Sequence, residues 1–579
     1  MAKPTQLNSS DHTEATSYPW LAEYPKGVDW HAELPEKPVF AILDEAAEHY
    51  GDRPFLNFLG AKCRYGDAHA IVEKLAGAFQ RMGVRRGVKV GLLLPNCPNF
   101  VHCFFAILKA GGTVVPYNPL LAPMEIARQV EDSETEIMVT LDLKRVYGKV
   151  DGVSSADGLR KLVVCRFGRM LPLAKRILFT LLKMGERITI PRDDVHVPYE
   201  RLLRNPGKFE RPQIDPRRDI AALIYTGGTT GTPKGVCLSH HNLYANAHQG
   251  ALGLPFAERG NERVLAVLPF FHSFGLTAVL NTSIALGAEI LLLPSFDPGE
   301  TLRAMSGQRA TMFMGVPAMF SAIADTPNAD RHDLASLKLC TSGGDDLPMD
   351  VRRSFQRLAD CDVVQGYGLT ECSPIVTSGS PLGLDKPRSI GVPLPGTIVK
   401  IVSLEDGQTP VGPGAKGEIC VKGPQVMMQY WNSPDATARA LQDGWLHTGD
   451  VGYMDKDGYV YLVDRLKDVI ITGGYNVYPS VVEAAIAEHP DVREVAVIGV
   501  PHSRWGQQVT AFVVTQSGRS LSKDQLQDFL KDRLSSYEMP KSIHFREELP
   551  KSMIGKVLKA ELRATYEAAR WDQQTSSAG

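Results

Sequence analysis

A stretch rich in glycine and threonine, YTGGTTGTPKG, occupies residues 225–235 and contains one lysine. Glycine lets backbone amides approach an anion closely, threonine hydroxyls add donors, and Lys234 supplies a positive charge. The stretch lacks the spacing of a Walker A motif, in which a serine or threonine follows the lysine and a helix begins at once. Here GVCLS follows and is predicted as a strand, with Ser239 capping the next helix. We therefore expect a phosphate-binding turn between two strands, with an ordinary surface loop as the alternative.

A second stretch, GYGLTECSP at residues 366–374, directly follows an apolar strand. It offers an aromatic face at Tyr367, a hydroxyl at Thr370 and a carboxylate at Glu371. A carboxylate beside a hydroxyl suits Mg²⁺ that bridges to phosphate oxygens. A tyrosine-bearing turn with no ligand would have the same local sequence.

Two later stretches add charged groups. Asp450 ends a polar turn, and Arg465 follows a strand. An acid such as Asp450 can hold a ribose by accepting hydrogen bonds from two of its hydroxyls. Lys556 lies beside a glycine in LPKSMIGKVLKAELR, residues 549–563. Taken alone, a hairpin with surface charges and a solvated lysine are the simpler interpretations. The functional interpretation therefore depends on all four stretches together.

The elements that must position these groups are short apolar runs, each followed by a helix-like stretch. VKVGLLLP (88–95) and IAALIYT (220–226) are examples. This alternation indicates an α/β fold with mostly parallel sheets covered by helices, and ligands at the carboxyl ends of the strands. After about residue 390, alternating strands with DG and PG turns predict hairpins. A compact α+β unit follows from about residue 465.

On this basis we divide the chain into a tail and two domains, the first of which contains a β-rich subdomain. Residues 1–30 are predicted as a flexible tail, and residues 31–464 as a large N-terminal domain of mixed and parallel sheets. A β-rich subdomain occupies about 390–464 of that domain. Residues 465–579 are predicted as a small α+β C-terminal domain, which carries Lys556.

Composition limits the class of protein. The 579 residues have a formal net charge of −2, so no global field favours nucleic acid, and we expect no nucleic-acid partner. The nine cysteines are scattered singly, without metal-ligand spacing, which favours reduced thiols and a cytoplasmic location. The N-terminus has no apolar run typical of a signal peptide. The most apolar long window, 276–294, is predicted as a buried helix followed by a core strand.

Seven motifs in order resemble one family closely. They are YTGGTTGTPKG, LPFFHSFG (268–275), GYGLTE, GWLHTGD, DRLKD, GGYNVYP and PKSMIGK. This series resembles the acyl-adenylate-forming superfamily, which includes acyl-CoA synthetases, luciferase and peptide-synthetase adenylation domains, over about residues 40 to 565. The resemblance implies that ATP activates a carboxylate to an acyl-AMP with release of pyrophosphate, and that the acyl group then passes to a thiol. ATP, Mg²⁺ and coenzyme A are the implied ligands.

The resemblance also implies roles, residue by residue. Tyr367 would stack on adenine between Gly366 and Gly368, Thr370 would contact the α-phosphate, and Glu371 would bind Mg²⁺. Asp450 and Arg465 would hold the ribose hydroxyls. The positions implied to hold the leaving phosphates are Thr226, Gly227, Gly228, Thr229, Thr230, Gly231, Thr232 and Lys234. Gly227 replaces the serine that is common in the superfamily, a variant typical of bacterial long-chain fatty acid ligases.

The small domain is implied to move between two steps. Lys556 would bridge the carboxylate and α-phosphate oxygens in the first step, so the domain must close to deliver it. It would then rotate about Lys467, and the turn with Gly473 and Gly474 would line the coenzyme A tunnel. Lys559 stands where arginine is frequent, and its role is left open.

The acyl pocket is expected around His272, which we also place among the catalytic residues, and around Gly315, Val316, Gly343 and Gly344. Small and apolar side chains there suit an aliphatic tunnel, whose depth would set chain length at about 0.8 kcal/mol per buried methylene. Core filling is the alternative for Val316 and its apolar neighbours Phe313, Met314 and Phe320. Asp345 and Asp346, directly after the glycines, have no explanation in the sequence.

A basic amphipathic segment at 166–190 carries six Lys or Arg and one acid, with Leu, Ile and Phe interleaved. Such a segment can lie on an anionic membrane surface, which predicts peripheral contact with the inner face of the membrane. A basic helix packed on the protein, or at a homodimer contact, is the alternative. With this segment and the N-terminal leader, the chain most resembles bacterial long-chain fatty acid–CoA ligases. Ligases for medium-chain or aryl acids, carrier-loading acyl-AMP ligases, luciferase-like oxygenation and a non-catalytic nucleotide-binding scaffold remain the alternatives.

Overall fold

The computed structural model describes residues 18–151, 158–204, 206–226, 233–472, 475–502, 505–551 and 557–566. In these ranges a π-helix spans Phe274–Asn281, and residues 559–566 are helical. The α-helices are Ala41–Tyr50, Tyr65–Arg81, Pro98–Lys109, Pro123–Ser133, Lys144–Tyr147, Leu173–Leu182, Tyr199–Leu202, His240–Leu252, Thr282–Ala285, Pro298–Gly307, Pro317–Ala324, Met349–Ala359, Pro434–Ala440, Pro479–Ala487 and Lys523–Leu530.

An eight-stranded sheet carries the glycine- and threonine-rich turn near one edge. In spatial order its strands are Gln429–Tyr430, Lys234–Ser239, Ile220–Thr226, Thr113–Pro116, Lys89–Leu92, Thr135–Leu141, Lys161–Cys165 and His196–Pro198. The six strands from Ile220–Thr226 to His196–Pro198 run parallel to one another. Strand Lys234–Ser239 runs antiparallel to both of its neighbours, Ile220–Thr226 and Gln429–Tyr430. The sheet is therefore mixed rather than purely parallel.

A nine-stranded sheet carries the second motif. In spatial order its strands are Val392–Pro393, Ile375–Ser378, Val363–Gly368, Leu339–Ser342, Met312–Gly315, Arg263–Ala266, Glu289–Leu292, Pro54–Phe58 and Ala61–Arg64. The strands from Val363–Gly368 to Pro54–Phe58 are parallel. Their carboxyl ends therefore meet at one edge of the sheet, where polar loops can converge.

The β-rich subdomain is a five-stranded antiparallel sheet. Four strands follow one another in space as Ile398–Val402, Gly417–Lys422, Trp445–Met454 and Leu441–Gln442, and Val460–Arg465 pairs with Trp445–Met454. The predicted hairpins are confirmed. Part of the predicted tail packs beside this sheet: Trp20 is buried against Val392 and Tyr459. Residues 18–30 are therefore part of the folded domain, a correction to the predicted tail, while residues 1–17 lie outside the described part.

The C-terminal region forms a separate five-stranded sheet. Its strands are Tyr475–Val477, Ile470–Thr472, Gly506–Thr515 and Val492–His502, with Ser542–Phe545 paired to Gly506–Thr515. Helices Pro479–Ala487 and Lys523–Leu530 pack on it around a core of their own. The predicted α/β class, with its β-rich subdomain and small α+β region, is confirmed. The domain boundary at residue 465 stays a prediction.

The main core is built around elements that are apolar on every face. All residues of helix Pro98–Lys109 from Asn99 onward are buried, as expected for a helix inside a large core. The window 276–294 is also buried, and it holds helices followed by strand Glu289–Leu292, as predicted. Within the described residues, no helix is long and apolar enough to cross a bilayer. All nine cysteines are free thiols in the structure.

Candidate functional site

The glycine- and threonine-rich turn lies between two paired strands. Thr226, the last residue of one strand, faces Lys234, the first residue of the next, and its hydroxyl donates to the Lys234 carbonyl at 3.4 Å. Ser239 caps the next helix by accepting the Asn242 N–H at 3.0 Å, as the sequence predicts. Six predicted phosphate-binding positions lie outside the described residues: Gly227, Gly228, Thr229, Thr230, Gly231 and Thr232.

The GYGLTE motif occupies the end of strand Val363–Gly368 and the turn behind it. Gly368 must be glycine, because a Cβ there would lie 2.1 Å from the Pro374 carbonyl oxygen. Gly366 pairs with Ser378 across the antiparallel ladder. The turn Thr370–Cys372 follows, and the Thr370 hydroxyl lies 3.1 Å from that of Ser273. The turn therefore presents Thr370 and Glu371 next to the loop that carries Ser273.

Two motif residues, Tyr367 and Arg465, contact the carboxylate of a third, Asp450. The buried Asp450 carboxylate accepts the Tyr367 hydroxyl at Oδ2, at 2.6 Å, and its Oδ1 lies 3.0 Å from Arg465 Nε. Asp450 and Arg465 are direct partners in the antiparallel ladder, which fixes this ion pair. The Asp450 charge raises the pKa of Arg465, and burial, more than the same charge, raises the pKa of Tyr367. Each carboxylate oxygen has a second lone pair, so Asp450 can still accept a ribose hydroxyl.

A second layer of contacts holds the turn that precedes Asp450. Glu418 accepts the His447 ring N–H at 2.8 Å and the Gly449 backbone N–H at 2.9 Å. The Thr448 hydroxyl donates to the Ile419 carbonyl at 2.7 Å. Cys420 lies beside this pair, yet Nδ1 of His447 is already bonded to the Glu418 carboxylate. This group therefore supports the Asp450 turn rather than offering an open metal site.

Glu371 has a partner that sequence reasoning missed. The Tyr430 hydroxyl donates to Glu371 Oε1 at 2.7 Å, and Lys234 Nζ lies 5.2 Å from the centre of the Tyr430 ring. Tyr430 lies 59 positions from Glu371 in a two-residue edge strand. The sequence QYWN gives no local sign of this contact, because the contact depends on how the two sheets meet.

The predicted acyl-pocket residues come together at the ends of two neighbouring strands. Gly315 pairs with Ser342, and the Gly343 N–H donates to the Gly315 carbonyl at 3.1 Å. A Cβ on Gly343 would lie 3.1 Å from the Phe274 ring, and one on Gly344 would lie 3.5 Å from Val316. Glycine at position 343 therefore lets the Phe274 ring pack directly against the backbone, whereas a Cβ on Gly344 would make ordinary van der Waals contact with Val316.

The neighbours of these glycines are divided between core and pocket. Phe313 and Phe320 are fully buried, with ring centres 5.2 Å apart, and both rings pack against Phe355, so they are core residues. Residue His272 is accessible at the surface, yet the protein atoms packed around its ring desolvate it and lower its pKa to about 4. The imidazole is therefore neutral near pH 7.

The two acids after these glycines are only partly explained. Asp345 Oδ1 accepts the Asp346 backbone N–H at 3.1 Å, which gives Asp345 a place in the turn. Nothing in the described structure explains Asp346.

The linker and the C-terminal region hold the remaining predicted residues. Lys467 lies in the turn Leu466–Asp468 that leads into the small sheet. Arg563 ion-pairs with Asp468 of the same turn at 2.6 Å, and Lys559 with Glu483 at 2.7 Å. These pairs give Lys559, left open from the sequence, a structural partner.

Three predicted positions of this region, Gly473, Gly474 and Lys556, lie outside the described residues. Their predicted roles therefore stay predictions.

The segment at 166–190 forms helix Leu173–Leu182, which has no buried residue. Its basic groups are turned partly to the protein: Arg166 pairs with Glu200 and Lys175 donates to the Leu59 carbonyl. Phe179 packs against Phe167, with ring centres 5.2 Å apart. The prediction that phenylalanine contributes to the outer apolar face is therefore wrong for Phe179. The exposed apolar side chains are Leu173, Ile177, Leu178, Leu181 and Leu182.

Comparison with known proteins identifies a common family. The profile of the AMP-binding enzyme family matches residues 43–431, and that of the AMP-binding enzyme C-terminal domain matches residues 481–556. A long-chain-fatty-acid–CoA ligase of Bacillus subtilis is 41% identical over 94% of this chain and 97% of its own length. One of Escherichia coli is 35% identical over the same shares. The crystal structure of ATP-bound MatB from Rhodopseudomonas palustris superposes with a TM-score of 0.79 at 28% identity, covering 92% of this chain and 99% of that one.

Proposed function

Because the chain belongs to the AMP-binding enzyme family, we propose that it is a ligase that joins long-chain fatty acids to coenzyme A. In the first step the carboxylate attacks the α-phosphorus of ATP, which gives acyl-AMP and pyrophosphate. In the second step the thiol of coenzyme A attacks the acyl carbonyl, which gives the thioester and AMP. The observation that carries this proposal is the convergence of Tyr367, Asp450 and Arg465 at one place, next to the turn with Glu371.

The first step needs positioning more than a protein nucleophile. The Asp450–Arg465 pair would orient the ribose, and the Tyr367 ring would support the adenine. Thr226 and Lys234 flank the turn that would hold the leaving phosphates. Lys556, delivered by the small domain, would stabilise the negative charge that develops between the two reacting oxygens.

The residues at the GYGLTE turn fit a magnesium ion. Glu371 and Thr370 are hard oxygen ligands of the kind that Mg²⁺ prefers, and in the described part of the chain only Oε1 of Glu371 has a hydrogen-bond donor. Oε2 is thus open to a ligand. Glu371 would hold Mg²⁺, which supplies charge neutralisation on the phosphate oxygens when bound.

The second step requires a new position of the small domain. Lys467 is the proposed hinge, in the turn between strand Val460–Arg465 and the C-terminal sheet. After rotation, the turn with Gly473 and Gly474 would line the tunnel for the pantetheine arm of coenzyme A. Rotation must break or carry along the Arg563–Asp468 pair, since Asp468 belongs to the same turn as Lys467.

The long-chain substrate suggests contact with a bilayer, where such acids partition. Helix Leu173–Leu182 exposes five large apolar side chains, between 55% and 72% accessible. Burying one leucine contributes about 1.5–3 kcal/mol, so several together suffice for peripheral binding. The proposed location is therefore the cytoplasm and the inner face of the membrane, with anionic lipid as the partner.

Products identify the activity directly. The protein would be incubated with ATP, Mg²⁺, coenzyme A and an equimolar mixture of acids from acetate to oleate, with cinnamate, and the products measured by mass spectrometry. We expect thioesters from about C12 upward, at about tenfold preference for every two methylenes that the tunnel buries, together with AMP and pyrophosphate. Acyl-AMP without thioester would instead indicate a carrier protein as acceptor. Thioesters of cinnamate or short acids alone would overturn the long-chain assignment.

A further inference from the structure

Segment 427–431 connects the two halves of the nucleotide site through its backbone. Its Met427 N–H donates to the Glu371 carbonyl at 2.7 Å, in the turn of the nine-stranded sheet. Its Met428 N–H donates to the Cys237 carbonyl at 3.0 Å, and its Trp431 N–H to the Gly235 carbonyl at 2.7 Å, both in the strand behind the phosphate turn. The segment is therefore bonded at once to both sheets.

The segment is also closely packed, so its position is well defined. A Cβ on Gly235 would lie 3.2 Å from Trp431 Cβ and 2.8 Å from Leu223 Cδ1, which means that the strand and the segment are in direct contact. The Tyr430 N–H donates to the hydroxyl of Thr437 in helix Pro434–Ala440 at 2.9 Å. The Tyr430 ring therefore has little freedom to move away from the site.

The Tyr430 side chain makes two contacts with different halves of the site. Its hydroxyl donates to Glu371 Oε1 at 2.7 Å, and its ring faces Lys234 Nζ at 5.2 Å from the ring centre. A hydrogen bond to a carboxylate fixes the rotation of that carboxylate, and a cation within about 6 Å of an aromatic face is attracted to it. The Tyr430 side chain therefore contacts the Glu371 carboxylate and the Lys234 ammonium at the same time.

We infer that Tyr430 is a positioning residue that aims Oε2 of Glu371 at the metal of a metal–nucleotide complex and holds Lys234 on the phosphate side. The inference rests on the proposed function, because it takes the ligand to be a divalent cation with ATP. Without the hydroxyl, the Glu371 carboxylate can rotate, and the cation binds an unoriented ligand. Without the ring, Lys234 also loses a contact that keeps it beside the phosphates.

Two substitutions separate these contributions. Tyr430→Phe removes the hydroxyl and keeps the ring, whereas Tyr430→Leu removes both. Mn²⁺ serves as the probe, and its binding in the presence of a non-hydrolysable ATP analogue is followed by electron paramagnetic resonance of free Mn²⁺. Binding of the analogue without metal is measured in parallel by calorimetry. Tyr461→Phe is the matched control, because the Tyr461 hydroxyl also meets a carboxylate, that of Asp455, at 3.4 Å.

We expect Tyr430→Phe to weaken Mn²⁺ binding about tenfold, the effect of losing one hydrogen bond to a charged group, and to leave metal-free analogue binding unchanged. Tyr430→Leu should weaken both, while Tyr461→Phe should weaken neither. Wild-type Mn²⁺ affinity in Tyr430→Phe would overturn the inference, as would equal loss in Tyr461→Phe. Should Tyr430→Leu fail to fold, the Phe variant still decides.

These binding measurements need no turnover. Failure of the wild-type protein to activate fatty acids would therefore refute the proposed function while leaving the role of Tyr430 to be judged from the Mn²⁺ data alone.

Discussion

The proposed nucleotide site and the proposed membrane-binding helix Leu173–Leu182 present their side chains in opposite ways. At the nucleotide site, Tyr367, Asp450 and Arg465 are held by hydrogen bonds and ion pairs of 2.6–3.0 Å. In the helix, by contrast, no residue is buried and five large apolar side chains face outward. The first arrangement fixes the geometry of the side chains, so a single substitution should have a large effect on activity. In the second, each exposed side chain should contribute separately to surface binding.

The largest effect is expected for Lys556, the residue that the small domain is proposed to deliver. Lys556→Ala should lower the rate of acyl-adenylate formation about a thousandfold, because it removes the cation opposite the developing charge. Formation of thioester from supplied acyl-AMP should be nearly unchanged. Single-turnover measurement of each half-reaction checks this. Equal loss in both would show that Lys556 is not specific to the first step, and the neighbour Lys551→Ala provides the control.

A substitution within the nucleotide site should have the next largest effect. Asp450→Ala leaves the Tyr367 hydroxyl and the half-exposed Arg465 guanidinium without their shared acceptor. It also removes the carboxylate that would accept the ribose hydroxyls, and a hydrogen bond to a charged group contributes about 1.5–3 kcal/mol. We expect the KM for ATP to rise about a hundredfold, with a smaller change in the KM for the fatty acid. Steady-state kinetics with ATP varied tests this.

The control for Asp450 is an acid of the same hairpin that lies away from the site. Asp455→Ala removes one of the two carboxylate partners of Lys386, at 2.7 Å, and leaves Asp457 at 2.6 Å. A comparable rise in the KM for ATP in this variant would mean that the effect of Asp450→Ala comes from damage to the hairpin. It would not then come from loss of the ribose ligand.

Substitutions in the helix should have moderate effects that add up. Leu178→Glu combined with Leu181→Glu should lower binding to vesicles of phosphatidylglycerol and phosphatidylcholine at least about tenfold, since each leucine contributes about 1.5–3 kcal/mol on burial. Cosedimentation measures the binding, and turnover of a soluble medium-chain acid should stay at the wild-type rate. Leu382→Glu with Leu384→Glu is the matched control, because these leucines are similarly exposed. Unchanged vesicle binding in the helix variant would refute the membrane contact.

The smallest effect is a dependence of stability on pH that comes from the interior of the large domain. Burial lowers the pKa of His102 to about 4 and that of His240 to about 3. Between pH 6.5 and these values the unfolded chain binds protons that the folded chain does not, so stability falls as pH decreases. Each residue contributes at most about 1.4 kcal/mol per pH unit in that window.

Urea unfolding at pH 7.5 and 5.5 measures this dependence. We expect His240→Gln to reduce the decrease in the free energy of unfolding between pH 7.5 and pH 5.5, whatever its effect at pH 7.5. His49→Gln is the control, since His49 is exposed on helix Ala41–Tyr50. An unchanged slope in His240→Gln would mean that its imidazole is protonated in the folded protein.

The sequence by itself determined the elements and the identity of the motifs. Strand Lys234–Ser239 with the Ser239 cap, the hairpins of the β-rich subdomain and the buried helix of window 276–294 all follow from local patterns. Turn residues, caps and apolar periodicity act over a few positions, so a single chain is enough to identify them. The ordered motifs likewise identify the family without knowledge of the fold.

Only the tertiary structure decided which side chains meet. Tyr367 and Asp450 are 83 positions apart and Tyr430 and Glu371 are 59 apart, and neither distance leaves a periodic signal. Phe179 reads as part of an outward apolar face, yet it packs on Phe167. Such contacts depend on strand order, register and the way two sheets are joined, and these arise from burial of the whole chain rather than from any one segment.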